Sequence, residues 1–322
     1  MPPEPPSPPL RDLFGRSDAR RAFLQFHLED RLFGSLEHLG FLALKHAPPA
    51  FVSNFGAAIS PGPRFLNRNA PWLAGMRRSA VHIRPELADD PAGVDALMAS
   101  WFVQSCRTHA EYPVLHKLTE PDHVTVTWDP QAHDLAASGR QMVIVQCHLG
   151  AWECSFDPMA HRFGRKGDIF AIYEPQPNRF RNRIAARVRD GRGLPCLPPG
   201  PVTQRLLPKL LKDGKQTIFF HIDENVGDTV GFPLFGRAPV PRSNLMRAIK
   251  TARIFDAPIL SLTTWRTGPA QVRVHLHAPI APKDIGRHAA GAQEAIARLN
   301  AIYEPVIRTH LEQWFMLPWM NL

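Results

Sequence analysis

Apolar and polar positions divide the chain into two textures. From Ser17, a residue of N-cap type followed by Asp18, the apolar positions Phe23, Leu24, Leu28, Leu32, Leu36 and Leu39 keep a helical period, with Arg, Glu and Asp between them. Helical patterning continues, with breaks at Pro48-Pro49 and Pro61-Gly62-Pro63, through Val94 to Leu118. After Pro121 the texture changes. HVTVTW (His123 to Trp128) alternates as a strand does, and MVIVQC (Met142 to Cys147) is a continuous apolar run of the kind buried on both faces of a sheet. Further strands are predicted over DIFAIY (Asp168 to Tyr173), QTIFFHI (Gln216 to Ile222), PILSLTTW (Pro258 to Trp265) and QVRVHLH (Gln271 to His277). Helices are predicted between them near Arg179 to Arg189, Val202 to Lys212 and Asn244 to Phe255, and a last one from about Ala289 to Gln313.

This is an α/β pattern: a central, mostly parallel sheet flanked by helices, an antiparallel pair near the end, and a helical N-terminal region. The expected organisation is a disordered proline-rich tail over 1–16, a membrane-proximal helical region over 17–120 and an α/β core over 121–322. The last two form one structural unit, since neither a repeat nor a separating linker is visible.

No stretch reaches the ~18 to 20 uninterrupted apolar residues that a membrane-spanning helix needs. The nearest, Phe33 to Ala58, is broken by Glu37, His38, Lys45 and Pro48-Pro49, so it suits a helix lying in a bilayer interface as well as one covering a core. The opening MPPEPPSPPL lacks the charged and apolar regions of a secretory signal. Four cysteines without CxxC or finger spacing indicate neither a disulfide framework nor a zinc module, and suit a reducing compartment. With 44% hydrophobic residues a real core can form, while a net charge of +9 implies acidic company.

The candidate chemistry lies in VIVQCHLGAWECS, Val143 to Ser155. A buried strand runs into His148, Gly150 lets the chain bend, and a helix starts near Ala151. Ligands of open α/β sheets sit outside the carboxyl ends of strands, where His148 falls. Glu153 falls in the first helical turn, where the helix dipole favours a negative charge. A histidine placed there serves as a general base, worth ~10²- to 10⁴-fold in rate, with a carboxylate holding its tautomer. No serine or cysteine nucleophile is required. The plainer reading is a strand-end histidine with a satisfied hydrogen bond. Cys147 should face away from His148, because adjacent strand residues point to opposite faces. His148, Glu153, His221 and Asp223 match no recurring metal-ligand spacing, so neither metal nor cofactor is expected.

HLGAWE (His148 to Glu153) resembles the H-x4-[DE] signature of the bacterial lipid A late acyltransferases, within the lysophospholipid acyltransferase-like superfamily. Three more segments resemble that family in its order: GDIFAIYEPQPNRFRNRIAARVRDGRG (Gly167 to Gly193), HIDENVGDTVGFPLFGRAPV (His221 to Val240) and HLEQWFMLPWMNL (His310 to Leu322). The likeness covers most of the chain from about Asp18. It implies a glycerolipid acyltransferase-like fold that moves a fatty acyl group from acyl carrier protein or acyl-CoA to a lipid or glycolipid acceptor. Such an enzyme works at the cytoplasmic face of the bacterial inner membrane, peripheral or monotopic.

By position, the resemblance makes His148 the general base and Glu153 its acidic partner, with Arg189 and Asp223 as functional residues. Gly150, Trp152, Tyr173, Arg187 and Glu224 become substrate-binding candidates. Asp223 has two possible partners, His148 from a neighbouring strand end or Arg189. Arg189 or backbone amides near Gly150 would stabilise an oxyanion. The chain departs from the family at Tyr173-Glu174-Pro175, at Glu224-Asn225 and at Phe255-Asp256-Ala257, which puts the usual phosphorylated glucosamine acceptor in question.

Arg162, Arg165, Lys166, Arg179, Arg181, Arg183, Arg187, Arg189 and Arg192 make the region after the motif basic, suiting an acidic carrier protein or an anionic membrane surface. No nucleic-acid module accompanies the charge, so no nucleic acid is expected as a partner. The aromatic close Trp314, Phe315, Trp319 suits a membrane interface or packing of the last helix onto the sheet. Two other functions fit the same residues: a thioesterase in which His148 activates water, and a silent binding protein that keeps the fold.

Overall fold

The computed structural model describes residues 6–157, 168–173, 178–198, 200–286 and 289–320. The α/β architecture expected from the pattern is the one observed. Helices fill the N-terminal third: Ser17–Leu24, Asp30–Leu44, Pro49–Ile59, Pro61–Leu66, Pro71–Ile83 and Pro91–Ala110. Proline opens four of these, at positions whose N–H has no partner within the helix. Ahead of them the proline-rich opening carries a 3-10 turn, Leu10–Phe14.

The strands are β1 (Val124–Trp128), β2 (Val143–Gln146), β3 (Ile169–Ile172), β4 (Cys196–Leu197), β5 (Thr217–His221), β6 (Asn225–Val226), β7 (Thr229–Val230), β8 (Ile259–Gly268) and β9 (Gln271–Leu276). Seven form one sheet in the order β1-β9-β8-β2-β5-β3-β4. β2 pairs in parallel with β5 and with β8, β3 with β5 and β4, and β1 with β9; only β8 and β9 are antiparallel. The edge pair β1 and β9 therefore runs opposite to the rest. β4 and the small hairpin β6-β7, two residues per strand, carry too little pattern to be read from sequence.

Alternate residues of the central strands feed two cores. Val143, Val145, Ile218, Phe220 and Ile259 face the helices Pro71–Ile83, Asn244–Ile254 and Ala289–Thr309. Met142, Ile144, Phe219 and Leu260 face Leu115, Leu118, Ala132 and Ala136 on the other side. Both faces of β2 are buried, which is why it is apolar from Val143 to Val145, and the buried Gln146 that ends it has its amide hydrogen-bonded. Each such side chain contributes about 1.5–3 kcal/mol by leaving water.

The helical period before Leu44 has a different outcome. Phe23 is buried, but Leu28, Leu32, Phe33, Leu36 and Leu39 are each more than half exposed. The segment Asp30–Leu44 touches the molecule along its other side, crossing the helix Arg179–Gly191. A Cβ at Gly34 would stand 2.4 Å from the Phe180 ring, so this close crossing requires glycine. Arg181 pairs with Glu37 beside it.

Candidate active site

The chain leaves β2 at Gln146 and reaches His148 at the carboxyl end of the parallel strands, as expected. Cys147, between them, points into the core and is 1% exposed; burial pushes its thiol well above the ordinary range. Gly150 then turns with φ +60°, where a Cβ would stand 2.7 Å from the Trp265 Cα and 3.0 Å from the Thr264 carbonyl. Conformation and space both demand glycine. In place of the helix expected from Ala151, the chain makes a 3-10 turn over Trp152–Ser155. Gln146 holds that turn: its amide donates to the Trp152 carbonyl at 3.0 Å, and it accepts from the Ser155 hydroxyl at 2.6 Å.

The His148 loop is stitched to the end of the chain. The Gly150 N–H donates to the Gln313 carbonyl at 3.0 Å and the Phe315 N–H to the His148 carbonyl at 2.9 Å, making a short antiparallel bridge. The Gly150 amide itself is thereby engaged by Gln313. Gln313 also accepts from the Arg266 N–H at 2.7 Å and so ties the loop to β8. Trp314 is fully buried. Of the two readings of the aromatic close, packing holds for Trp314, Leu317 and Met320, while Trp319 is 38% exposed.

Asp223, not Glu153, is the carboxylate on His148. Asp223 follows the end of β5, whose His221 is in register with Gln146 of β2, so the two strand ends lie side by side. Asp223 Oδ1 lies 2.7 Å from His148 Nδ1, and Oδ2 accepts from the His148 N–H at 2.8 Å and from Trp314 Nε1 at 3.0 Å. Burial alone would raise the Asp223 pKa; the charge and hydrogen bonds of His148, with the Trp314 N–H, reverse this and hold it below the ordinary value. The His148 side chain is 22% exposed against 0% for Asp223. Its ring stacks on His221, centroids 4.1 Å apart, and meets the Trp152 edge at 5.1 Å. Burial, and then the adjacent His148, push His221 down to about 3, so it stays neutral.

Glu153 has other partners. It pairs with Arg189, accepts from the Tyr112 hydroxyl at 2.9 Å, and faces Arg192 Nη1 at 3.4 Å. Burial would raise its pKa, but the two guanidiniums win and lower it to about 2. The Arg189 guanidinium lies 4.0 Å over the Tyr173 ring, and the Tyr173 hydroxyl donates to Asn182 at 2.9 Å. One helix face explains this: Arg179, Asn182, Ala185 and Arg189 turn inward, while Arg181, Arg183 and Arg187 are exposed. Arg179 lies buried over Phe26 at 3.6 Å. Arg187 stands outside the cluster, on the exposed face.

Glu224 accepts from the Asn244 N–H at the start of the helix Asn244–Ile254, and its Oε2 is buried without a hydrogen-bond partner among the described residues. Burial raises its pKa to about 8. Glu174, Pro175, Arg162, Arg165 and Lys166 lie outside the described residues. The sequence pattern does not reach Tyr112, Arg192 as a Glu153 ligand, or Gln313 and Trp314 as supports of the loop. The Gln-Trp pair near the chain end is the signal that pointed toward the last two.

Residues 131–319 match the family described as bacterial lipid A biosynthesis acyltransferase, more than half of the chain, and the chain belongs to that family. It is the family that the four motifs resemble, and it makes this protein a lipid acyltransferase by class. No curated protein matches the chain in sequence. Among solved structures, the chain is similar to the crystal structure of the 1-acyl-sn-glycerophosphate (LPA) acyltransferase PlsC from Thermotoga maritima, at 14% identity and a TM-score of 0.36, over 71% of this chain and 95% of that one.

Proposed function

We propose that this protein transfers a fatty acyl group from an acyl thioester, on acyl carrier protein or coenzyme A, to a hydroxyl or amine of a lipid or lipid-like acceptor, with His148 as general base. The observation that carries the reading is the His148–Asp223 pair at the carboxyl end of β2 in a member of a lipid acyltransferase family. With Nδ1 held by Asp223, Nε2 is left for the acceptor. The acceptor gives its proton to Nε2 as its oxygen or nitrogen attacks the thioester carbonyl. The tetrahedral oxyanion then collapses, the C–S bond breaks, and the imidazolium returns the proton to the departing thiolate. The ionised Asp223 stabilises that imidazolium. No acyl-enzyme forms, in keeping with a Cys147 thiol buried in the core. An amine acceptor asks more, because an alkylammonium of pKa ~10 must first lose a proton.

Arg189 Nη1 is buried without a hydrogen-bond partner among the described residues, which favours Arg189 as the donor to an oxyanion or an acceptor phosphate. Glu153 then acts as the anchor that fixes Arg189. The reading places the protein at the cytoplasmic face of the inner membrane, docked on anionic lipid. Support comes from the exposed row Leu28, Leu32, Leu36 and Leu39 beside the arginine-bearing helix. No helix among the described residues is long and apolar enough to cross a membrane.

Acyl transfer from a labelled acyl carrier protein thioester, with total bacterial lipid as acceptor and products resolved by mass, tests the reading. A new acylated lipid that disappears with His148→Ala supports it and names the acceptor by mass. Free fatty acid alone would replace it with a hydrolase.

A further inference from the structure

A second cluster of ligand-type side chains lies on the reversed edge pair of the sheet, β1 and β9. Leu276, which ends β9, is in register with Leu262 of β8 and through it with Gln146 of β2, so the cluster lies level with the end of β2 and two strands across from it. Asp129 follows β1, and His275 and His277 lie two apart at the end of β9, on the same side of the strand. One ligand atom from each of the three falls within 4.8 Å of the others. The two rings are 4.5 Å apart, and His275 Nε2 lies 3.5 Å from Asp129 Oδ1.

The surroundings of each group fix which atom it offers. His275 Nδ1 lies 2.8 Å from the Thr127 hydroxyl, its neighbour across the β1-β9 register. His277 Nε2 lies 2.9 Å from the Thr263 hydroxyl of β8. Asp129 Oδ2 accepts from the Ala278 N–H at 2.7 Å. When both threonine oxygens accept a ring N–H, His275 Nε2, His277 Nδ1 and Asp129 Oδ1 are left as lone-pair donors. Imidazoles that bind metal are held in this way, with the second nitrogen on an oxygen that sets tautomer and orientation. All three residues are half-buried, so an ion from solvent can reach them.

We propose that Asp129, His275 and His277 bind one divalent ion of the zinc type, with water completing the coordination. Two imidazoles and a carboxylate select such an ion over calcium or magnesium, which take oxygen ligands. The ion would join the end of β1 to the end of β9, the pair at the sheet edge whose direction is reversed, and would stabilise the fold by binding the native state alone.

The test is titration of the metal-stripped full chain with Co²⁺, followed by displacement with Zn²⁺. One equivalent of Co²⁺ should develop visible absorption of low-coordinate cobalt and lose it to Zn²⁺. Zinc in excess, near 100 times its dissociation constant, should raise Tm by about 5 °C. His275→Ala and the near-isosteric Asp129→Asn should each abolish that equivalent, and Thr127→Val should weaken it about 10- to 100-fold. His148→Ala should leave it intact. The proposal is overturned by a wild-type chain that takes up no such equivalent, by one that persists in Asp129→Asn and His275→Ala, or by one lost with His148→Ala alone. Asp129→Asn keeps the shape of the site, so its result stands even where His275→Ala fails to fold.

Discussion

His148 Nδ1 lies 2.7 Å from Asp223 Oδ1, whereas Glu153, five residues further along, is bound by Arg189 and Arg192. The two carboxylates of the site therefore have different tasks. Asp223 holds the His148 ring, and Glu153 holds two arginines in place.

Removing the Glu153 charge takes the carboxylate from the buried Arg189 guanidinium, while Arg192 keeps Asp157 at 2.7 Å, so Glu153→Ala should destabilise the fold by ~3–5 kcal/mol. It should impair acyl transfer through loss of Arg189 positioning. Glu153 is held at about 2 against an ordinary 4.5. A depressed acid contributes stability above its unfolded pKa and loses it as pH falls through the folded one. Wild type should thus lose a component of order 3 kcal/mol between pH 4.5 and about 2 that Glu153→Gln lacks. Denaturant melts across that range measure it.

Glu224 has the opposite sign. Its pKa of about 8 lies above the ordinary 4.5, so its contribution is complete below pH 4.5 and is lost as pH rises through about 8. Glu224→Gln should match wild type near pH 4 and exceed it in Tm above pH 8. A constant difference across that range would mean that the carboxyl does not hold its proton in the fold.

Gly150→Ala forces a side chain into a left-handed conformation and a 2.7 Å approach to Trp265. The expected cost is at least ~1–3 kcal/mol in stability. Activity should fall further than stability, because the same loop carries His148. Gly40→Ala, at an open helical position, is the control.

Acidic substitution of the exposed row, as Leu32→Glu, Leu36→Glu and Leu39→Glu together, should leave Tm within a few degrees and abolish sedimentation with anionic vesicles. Undiminished binding would move the docking surface elsewhere.

The larger outlines of this molecule are legible in its sequence for a physical reason: strands buried on both faces are built from apolar residues, as Met142 to Val145 is. His148, Asp223, Glu153 and Arg189 are all brought to one end of the sheet. Their pairing is not legible, since the Asp223 contact depends on Gln146 standing opposite His221 across two strands 75 residues apart. Inward and outward arginines of Arg179–Gly191 share one composition and are separated only by helix phase. The apolar row at Leu28 to Leu39 has a core-facing period, yet faces outward, because periodicity marks an amphipathic face without naming what covers it. β4 is too short to leave a pattern.

A double-mutant cycle on acyl transfer tests the His148–Asp223 unit most directly, with kcat measured for wild type, His148→Ala, Asp223→Asn and the double variant, each verified as folded by circular dichroism. Each single change should lower kcat by about 10²- to 10⁴-fold, and the double variant should be no slower than His148→Ala. Losses that multiply in the double variant, or a His148→Ala protein that turns over as wild type does, would contradict the assignment.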